Sequence, residues 1–294
     1  MFNFHNQKRT RNNIAVTGGL LAACVVFSAC ANPEIDAARK LDIRGGDVSA
    51  EAAREYKRLA HYEDKQMWDR ASAIAFSEKA IAANNGVVAT APGSSRALAN
   101  EDIAAAYRYL NHMRALGADR IAPKATGQAI ARLDCWAEQA SEGDQPLDIG
   151  FCRDGFIEYA SETAEALKAA GKPLAATAPM LKSYKVTFPL GSSMPAVGAD
   201  KVLDQAADYA KSSKNLRIVL GGHADKSGSA RKNQYLSQAR AERIAAMLKA
   251  RGVPEEKINT IGFGETYPRV ITPDGQKSGE NRRVEIVIGP DRLL

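Results

Sequence analysis

Asp225 and Arg240 stand fifteen positions apart in GGHADKSGSARKNQYLSQARA, residues 221 to 241. A carboxylate accepts hydrogen bonds from an ammonium, and a guanidinium forks two N–H groups onto a carboxylate. Such a pair stands at the two ends of a glycine- and serine-rich turn, where each could meet a ligand group of opposite charge. It equally suits a surface ion pair worth about 0–1 kcal/mol. Asn233 and Arg240 are seven apart, so they share one side of a helix, two turns along. Asn233 falls near the helix start, where it could cap and also donate to a ligand. Leu236 lies on the neighbouring face, placed to pack against an aliphatic chain. Other chemistry is less well supplied. His223 and Asp225 offer two metal ligands without a third. GGHADKSG and GFGE match no phosphate-cradling loop. Glu101, Asp102 and Glu138 are acids of the kind a glycosidase uses, but none sits in a recognisable motif.

The elements that must position this stretch can be read from periodicity. SYKVTFPL alternates at Tyr184, Val186 and Phe188 and predicts a strand. ADKVLDQAADYAKSSK predicts a helix, NLRIVLGGH a buried strand, and NQYLSQARAERIAAMLKARG a helix ending at Gly252, with Ala241, Ile244, Ala245 and Leu248 inward. EKINTIGFGET and NRRVEIVIG complete a βαβαββ order, an α/β sandwich with helices on one face of a mixed sheet. Arg282 and Arg283, on adjacent strand positions, point to opposite faces, one toward the ligand turn and the other to solvent.

Upstream, residues 51–171 read as an all-α module, so the chain as a whole is α+β. The first helical stretch carries Tyr56, Leu59, Tyr62, Met67, Ala71, Ile74 and Ile81 at helical spacings and stops at NNG. Asn100 before Glu101 and Asp102 predicts an N-cap with acids in the first turn. Trp68, Trp136, Phe76, Tyr107 and Phe156 are expected in the core. Cys135 and Cys152 fall on consecutive helices, so a disulfide would clamp a helical hairpin and contribute about 3 kcal/mol; two free thiols are the alternative. Residues 30–50 read as a tether and residues 172–183, with two prolines, as a linker.

The 294-residue chain is 45% hydrophobic and 25% charged, an ordinary globular composition. Its net charge of +6 owes three units to Lys8, Arg9 and Arg11, ahead of any acid. The basic balance therefore argues for no nucleic-acid partner. Those cations precede the apolar run IAVTGGLLAACVVFSA, an export signal over residues 1–29. FSAC resembles a bacterial lipobox, with Cys30 as the lipidated residue; LAAC, ending at Cys24, and an uncleaved anchor are the alternatives. Ala31 after Cys30, where an inner-membrane retention signal has Asp, favours the outer membrane. The acyl chains, at about 0.8 kcal/mol per buried CH₂, would anchor it stably.

Four stretches together resemble one family: GHADKSG (222–228), NQYLSQARA (233–241), GFGE (262–265) and NRRVEI (281–286). From about Tyr184 to Gly289 the chain is similar to OmpA-like peptidoglycan-binding domains, as in the peptidoglycan-associated lipoprotein. The resemblance implies non-covalent binding of the diaminopimelate of peptidoglycan stem peptides. Asp225 would take the ammonium and Arg240 the carboxylate, with Asn233 and Leu236 in support. It implies no enzyme activity and no cofactor. In the family an Asp follows the first strand where this chain has Gly191, which removes one expected contact. LDCWAEQ and CRDGF resemble the helical regions that precede such domains in related lipoproteins. The expected protein is a lipid-anchored tether on the periplasmic face of the outer membrane, its helical module a spacer or a docking surface for a protein partner. Two alternatives remain: an inner-membrane, stator-like wall binder, opposed by the absence of Asp or Glu in residues 14–29, and a wall-cleaving enzyme.

Overall fold

The computed structural model describes residues 32–88, 100–142, 146–172, 174 and 182–290. The export signal, Cys24 and Cys30, and most of the linker expected at 172–183 lie outside the described residues. No helix of the described residues is long and apolar enough to cross a membrane.

The helical part comprises α1 (Pro33–Lys40), α2 (Val48–Tyr62), α3 (Arg70–Asn84), α4 (Glu101–Ala115), the single turn α5 (Ala118–Ile121), α6 (Pro123–Glu142) and α7 (Pro146–Ala169). Side-chain caps start several of them. Asp47 accepts from Ala50 N and Asp69 from Ala71 N and Ser72 N, and Asn100, the cap the sequence predicts, accepts from Asp102 N and Ile103 N. The expected tether is instead structured. Ile35 and Ala38 of α1 are buried, because a short amphipathic turn has an apolar face to cover.

The helix expected from residue 51 to NNG breaks into two. A π-helical turn, Glu63–Met67, is closed by Trp68 in the left-handed region, φ 59°. The extra residue in the turn shifts the apolar phase. Tyr56, Leu59 and Tyr62 are buried as expected, but downstream the buried face is Ala73, Phe76, Ala80 and Ala83, while Ala71 is exposed and Ile74 and Ile81 are half-buried. Trp68 is not a core residue. It is 79% exposed, whereas Trp136, Phe76, Tyr107 and Phe156 are buried. Cys135 on α6 and Cys152 on α7 form a disulfide, Cα atoms 5.4 Å apart, which clamps the hairpin of these two helices.

The α/β part runs β1 (Lys182–Thr187), α8 (Ala199–Lys211), β2 (Leu216–Gly222), α9 (Ala230–Lys249), β3 (Ile258–Gly262) and β4 (Arg283–Pro290). This is the βαβαββ order read from the sequence. The sheet order is β1-β4-β2-β3. β4 is antiparallel to both β1 and β2, and β2 is parallel to β3 across the α9 crossover. Val284, Ile286 and Ile288 of β4 pack with Leu216, Ile218 and Leu220 of β2 and with Leu203, Ile244 and Leu248 of the two helices.

The opposite face is covered too. Val287 of β4, Phe263 and Tyr267 join Tyr62, Phe151 and the rest of the helical core in one cluster. Period-two alternation also sends Arg283 and Glu285 to that face. The sequence expects one of the two adjacent arginines in solvent, but Arg282 is bonded to Asp225, and Arg283 is 2% exposed, its Nε donating to Glu285 Oε1 at 2.6 Å. Around them Arg132 and Arg58 both bond Glu55, Arg269 bonds Glu158, and Tyr267 OH bonds Asp148. Residues Asn32–Leu294 accordingly cluster as one compact unit.

Glu63, 3% exposed, opens the π turn. Burial first, then the charges of Asp148, Asp69 and Glu142, push its carboxyl up to about 8 from an ordinary 4.5. Between those values the folded chain holds a proton that the unfolded chain has released, so stability falls as pH rises through that window. Glu63→Gln, which mimics the protonated acid, should flatten this loss by up to about 1.4 kcal/mol per pH unit. Denaturant melts from about pH 5 to pH 9 would read it; a slope equal to that of the wild type would show that Glu63 is not the titrating group.

Candidate functional site

The site forms where the C-terminal end of β2 meets α9. Two glycines allow the close approach. A Cβ on Gly222 would lie 2.0 Å from Ser237 O, and one on Gly262 would lie 2.7 Å from Gln238 N. Ser237 Oγ then accepts from Gly264 N at 2.8 Å, tying α9 to the GFGE turn. Helix α9 starts earlier than expected. Ser229 is its N-cap, accepting from Lys232 N, so Asn233 lies one turn inside the helix and does not cap it.

Asn233 instead braces the turn. Its Nδ2 donates to Asp225 O at 2.8 Å and to Glu265 Oε2. Two turns along, Arg240 Nη1 donates to His223 O at 2.8 Å. The shared helix side expected of these residues thus grips two carbonyls of the same short segment, 223–225.

Asp225 is 3% exposed and fully engaged. Oδ1 accepts from Ser227 Oγ at 2.5 Å, and Oδ2 accepts from Arg282 Nη1 at 2.7 Å and Ser278 N at 3.0 Å. Burial raises its pKa, but Ser227, Arg282 and the amides outweigh that and leave it below the ordinary value. Asp225 does not pair with Arg240, so the surface ion pair between these two residues, left open by the sequence, does not form. Its cationic partner is Arg282, whose Nε also donates to Phe188 O at 3.0 Å.

Arg240 is fully buried. Besides His223 O, its Nε donates to Ser192 O at 2.9 Å and its Nη2 to Pro189 O at 3.3 Å, with the guanidinium carbon 5.1 Å from the Phe188 ring centroid. A guanidinium has five N–H groups, so two remain beyond these three. Among the described residues no carboxylate forms an ion pair with it. Burial pushes its pKa down to about 10, against the opposing charge of Asp225. Gly191, at φ 67°, allows the Pro189–Ser192 turn that carries two of these carbonyls, with Ser192 N donating to Pro189 O at 3.2 Å. Where the resemblance expects an acid, this chain places a turn over the guanidinium.

Leu236 is half-buried and stands outside the apolar cluster of the α/β core. His223 stacks on Phe263 with ring centroids 5.0 Å apart, and neither ring nitrogen has a hydrogen-bond partner. Burial first, then the Arg283 charge, lowers its pKa to about 4, so it is neutral at physiological pH. Its Nε2 lies 3.7 Å from Glu285, on the side of the helical core. Among the described residues no group of three His, Cys, Asp or Glu side chains is placed to hold a metal. The sequence reading named neither Ser227, Ser278 and Glu265 nor the 189–192 carbonyls as part of the site. Ser227 could have been found from its Asx-turn spacing to Asp225; the others are distant in sequence and carry no local signal.

The OmpA family profile matches residues 191–283. Residues 191–283 are an OmpA family domain. The chain is 39% identical over 90 residues to the peptidoglycan-binding protein ArfA of Mycobacterium tuberculosis, which is 30% of this chain and 27% of that protein. It is 30% identical over 105 residues to the peptidoglycan-associated lipoprotein of Rhizobium meliloti, covering 36% of this chain and 60% of the relative. The matches thus span from about a quarter to three fifths of these two relatives. Among solved structures, the peptidoglycan-associated lipoprotein from Burkholderia pseudomallei aligns with TM-score 0.34 and 28% identity, over 35% of this chain and 88% of that one.

Arg282→Ala in this OmpA family domain leaves a buried carboxylate one donor short. A loss of about 1–3 kcal/mol in chemical denaturation is expected, with Arg282→Lys losing less. Equal stability of Arg282→Ala and wild type would show that the amide and hydroxyl donors suffice.

Proposed function

We propose that this protein binds peptidoglycan without covalent chemistry, through the diaminopimelate of the stem peptide, and that Asp225, Arg240, Asn233 and Leu236 form the site. The observation that carries this reading is Arg240: a buried guanidinium with unspent N–H groups and no carboxylate partner among the described residues, fifteen positions after Asp225 in an OmpA family domain. Burying a cation without an anion is costly, and a ligand carboxylate would relieve that cost. In the bound form the carboxylate replaces Ser192 O and Pro189 O on the guanidinium, and the ligand ammonium approaches Asp225 from the Ser227 side. Asn233 keeps the 223–225 segment in place, and Leu236 packs against the methylene chain. Two relatives named for peptidoglycan support the same ligand class.

In this reading the protein acts in the cell envelope, as a tether rather than an enzyme. Its outer-membrane location rests on lipidation at Cys30. The helical module is a structural partner of the wall-binding domain, since the two share a core, and its outer surface remains available to another protein.

Sedimentation of the full chain with purified sacculi tests the site. Asp225→Ala and Arg240→Lys should lower the bound fraction more than tenfold, as expected for truncating a hydrogen-bonded charge at about 2–5 kcal/mol. Leu236→Glu, outside the core, should weaken binding without loss of fold. Wild-type protein that stays in the supernatant, or folded variants that sediment as wild type does, would overturn the proposal. Mass spectrometry of protein from membranes checks the anchor: acyl groups on Cys30 support it, and an intact residue 1–31 segment refutes it.

A further inference from the structure

A cavity of about 350 Å³ lies between α1, α2, α3 and the segment carrying Ile271, far in sequence from the Asp225 turn. That volume is within the range of small-molecule sites. Its apolar wall is Ile35, Ala38, Ala60 and Ile271. Ile35, Ala38 and Ala60 are buried, and Ile271 is 38% exposed at the mouth.

Every ionisable side chain that lines this cavity is basic: Arg39, Arg54, Lys57, Arg58 and His61. Three of them pair with acids. Arg39 pairs with Asp36 and Asp64, Arg54 with Glu51, and Arg58 with Glu55, and none of these carboxylates lines the cavity. Lys57 makes a bond only to Leu41 O, at 2.9 Å, so its charge has no counter-ion among the described residues. Burial first, then the charges of Arg39 and Lys65, against that of Asp64, hold the His61 imidazole below its ordinary value. An apolar wall with a cationic rim matches a ligand of the complementary kind. A cation would be repelled, and a neutral chain would leave Lys57 without an anion.

We propose that this cavity binds a small amphiphilic anion, an aliphatic chain ending in a carboxylate, with the chain against Ile35, Ala38 and Ile271 and the head group at Lys57. The inference is independent of the peptidoglycan site.

Photolabelling of the full chain with a diazirine-bearing aliphatic carboxylate tests it, with labelled peptides mapped by mass spectrometry. Label is expected on α1, α2 and the segment around Ile271. Decanoate should compete, and decanol and decyltrimethylammonium should not. Lys57→Glu reverses the charge at the head-group position and should cut labelling about tenfold or more. Ile271→Trp, at the exposed mouth, should cut it by narrowing the entrance, and thermal melts establish that both variants fold. Competition by decanoate that dodecylphosphate does not match would support a carboxylate head group, and equal competition by dodecylphosphate would overturn it. Label confined to residues 1–31, equal competition by decanol, or unchanged labelling of both folded variants would overturn the proposal.

Discussion

Strand β4 is covered on both faces, and this constraint organises the molecule. Antiparallel strand pairs, such as β4 makes with β1 and β2, commonly leave one face to water. Here Val284, Ile286 and Ile288 face the α8–α9 layer, while Arg283, Glu285 and Val287 face the helices. Arg283 and Glu285 are therefore taken out of water as a pair. Burial alone would raise Glu285, but the Arg283 charge holds its carboxyl well below the ordinary range. Nearby Glu158 is raised, by burial and then by the Glu285 charge, despite Arg269. Buried ion pairs of this kind stabilise less than their geometry suggests, but removing one partner is costly. The helices and the sheet are thus held in one arrangement by charges that have no other place to go.

The same strand reaches the Asp225 turn. His223 N donates to Arg283 O at 2.8 Å, so the backbone that carries Asp225 is an extension of the strand pairing. On one side His223 stacks against Phe263, which belongs to the core shared with the helices; on the other its carbonyl accepts from Arg240. Asn233 and Arg240 therefore act on a segment already held at its start. A preorganised turn of this kind reduces the ordering that a ligand would have to impose.

The fold of the C-terminal third was legible because its signals are local. Alternation, helical spacing and glycine stops each report within a few residues. The helical module was legible in type but not in phase. The π turn before Trp68 inserts a residue without any sequence mark, so the stripe read through Ala71, Ile74 and Ile81 landed on the wrong face. The short helix at 33–40 was read as a tether because eight polar-rich residues carry too little periodicity to stand out. Its burial of Ile35 and Ala38 depends on helices that come later in the chain.

By itself the sequence determined which residues of the candidate site are drawn from one turn and one helix: Asp225, Asn233, Leu236 and Arg240 are close in the chain, and their spacing carries the information. It also determined that Cys135 and Cys152 lie on adjacent helices. Only the tertiary structure decided what each charge meets. Asp225 is partnered by Arg282, fifty-seven positions away, and Arg240 by carbonyls forty-eight and fifty-one positions away. Arg283, adjacent to Arg282, is buried against helices that precede the whole domain. The physical reason is that pattern reports which face a side chain takes, whereas the charge or carbonyl waiting on that face is set by how distant segments pack.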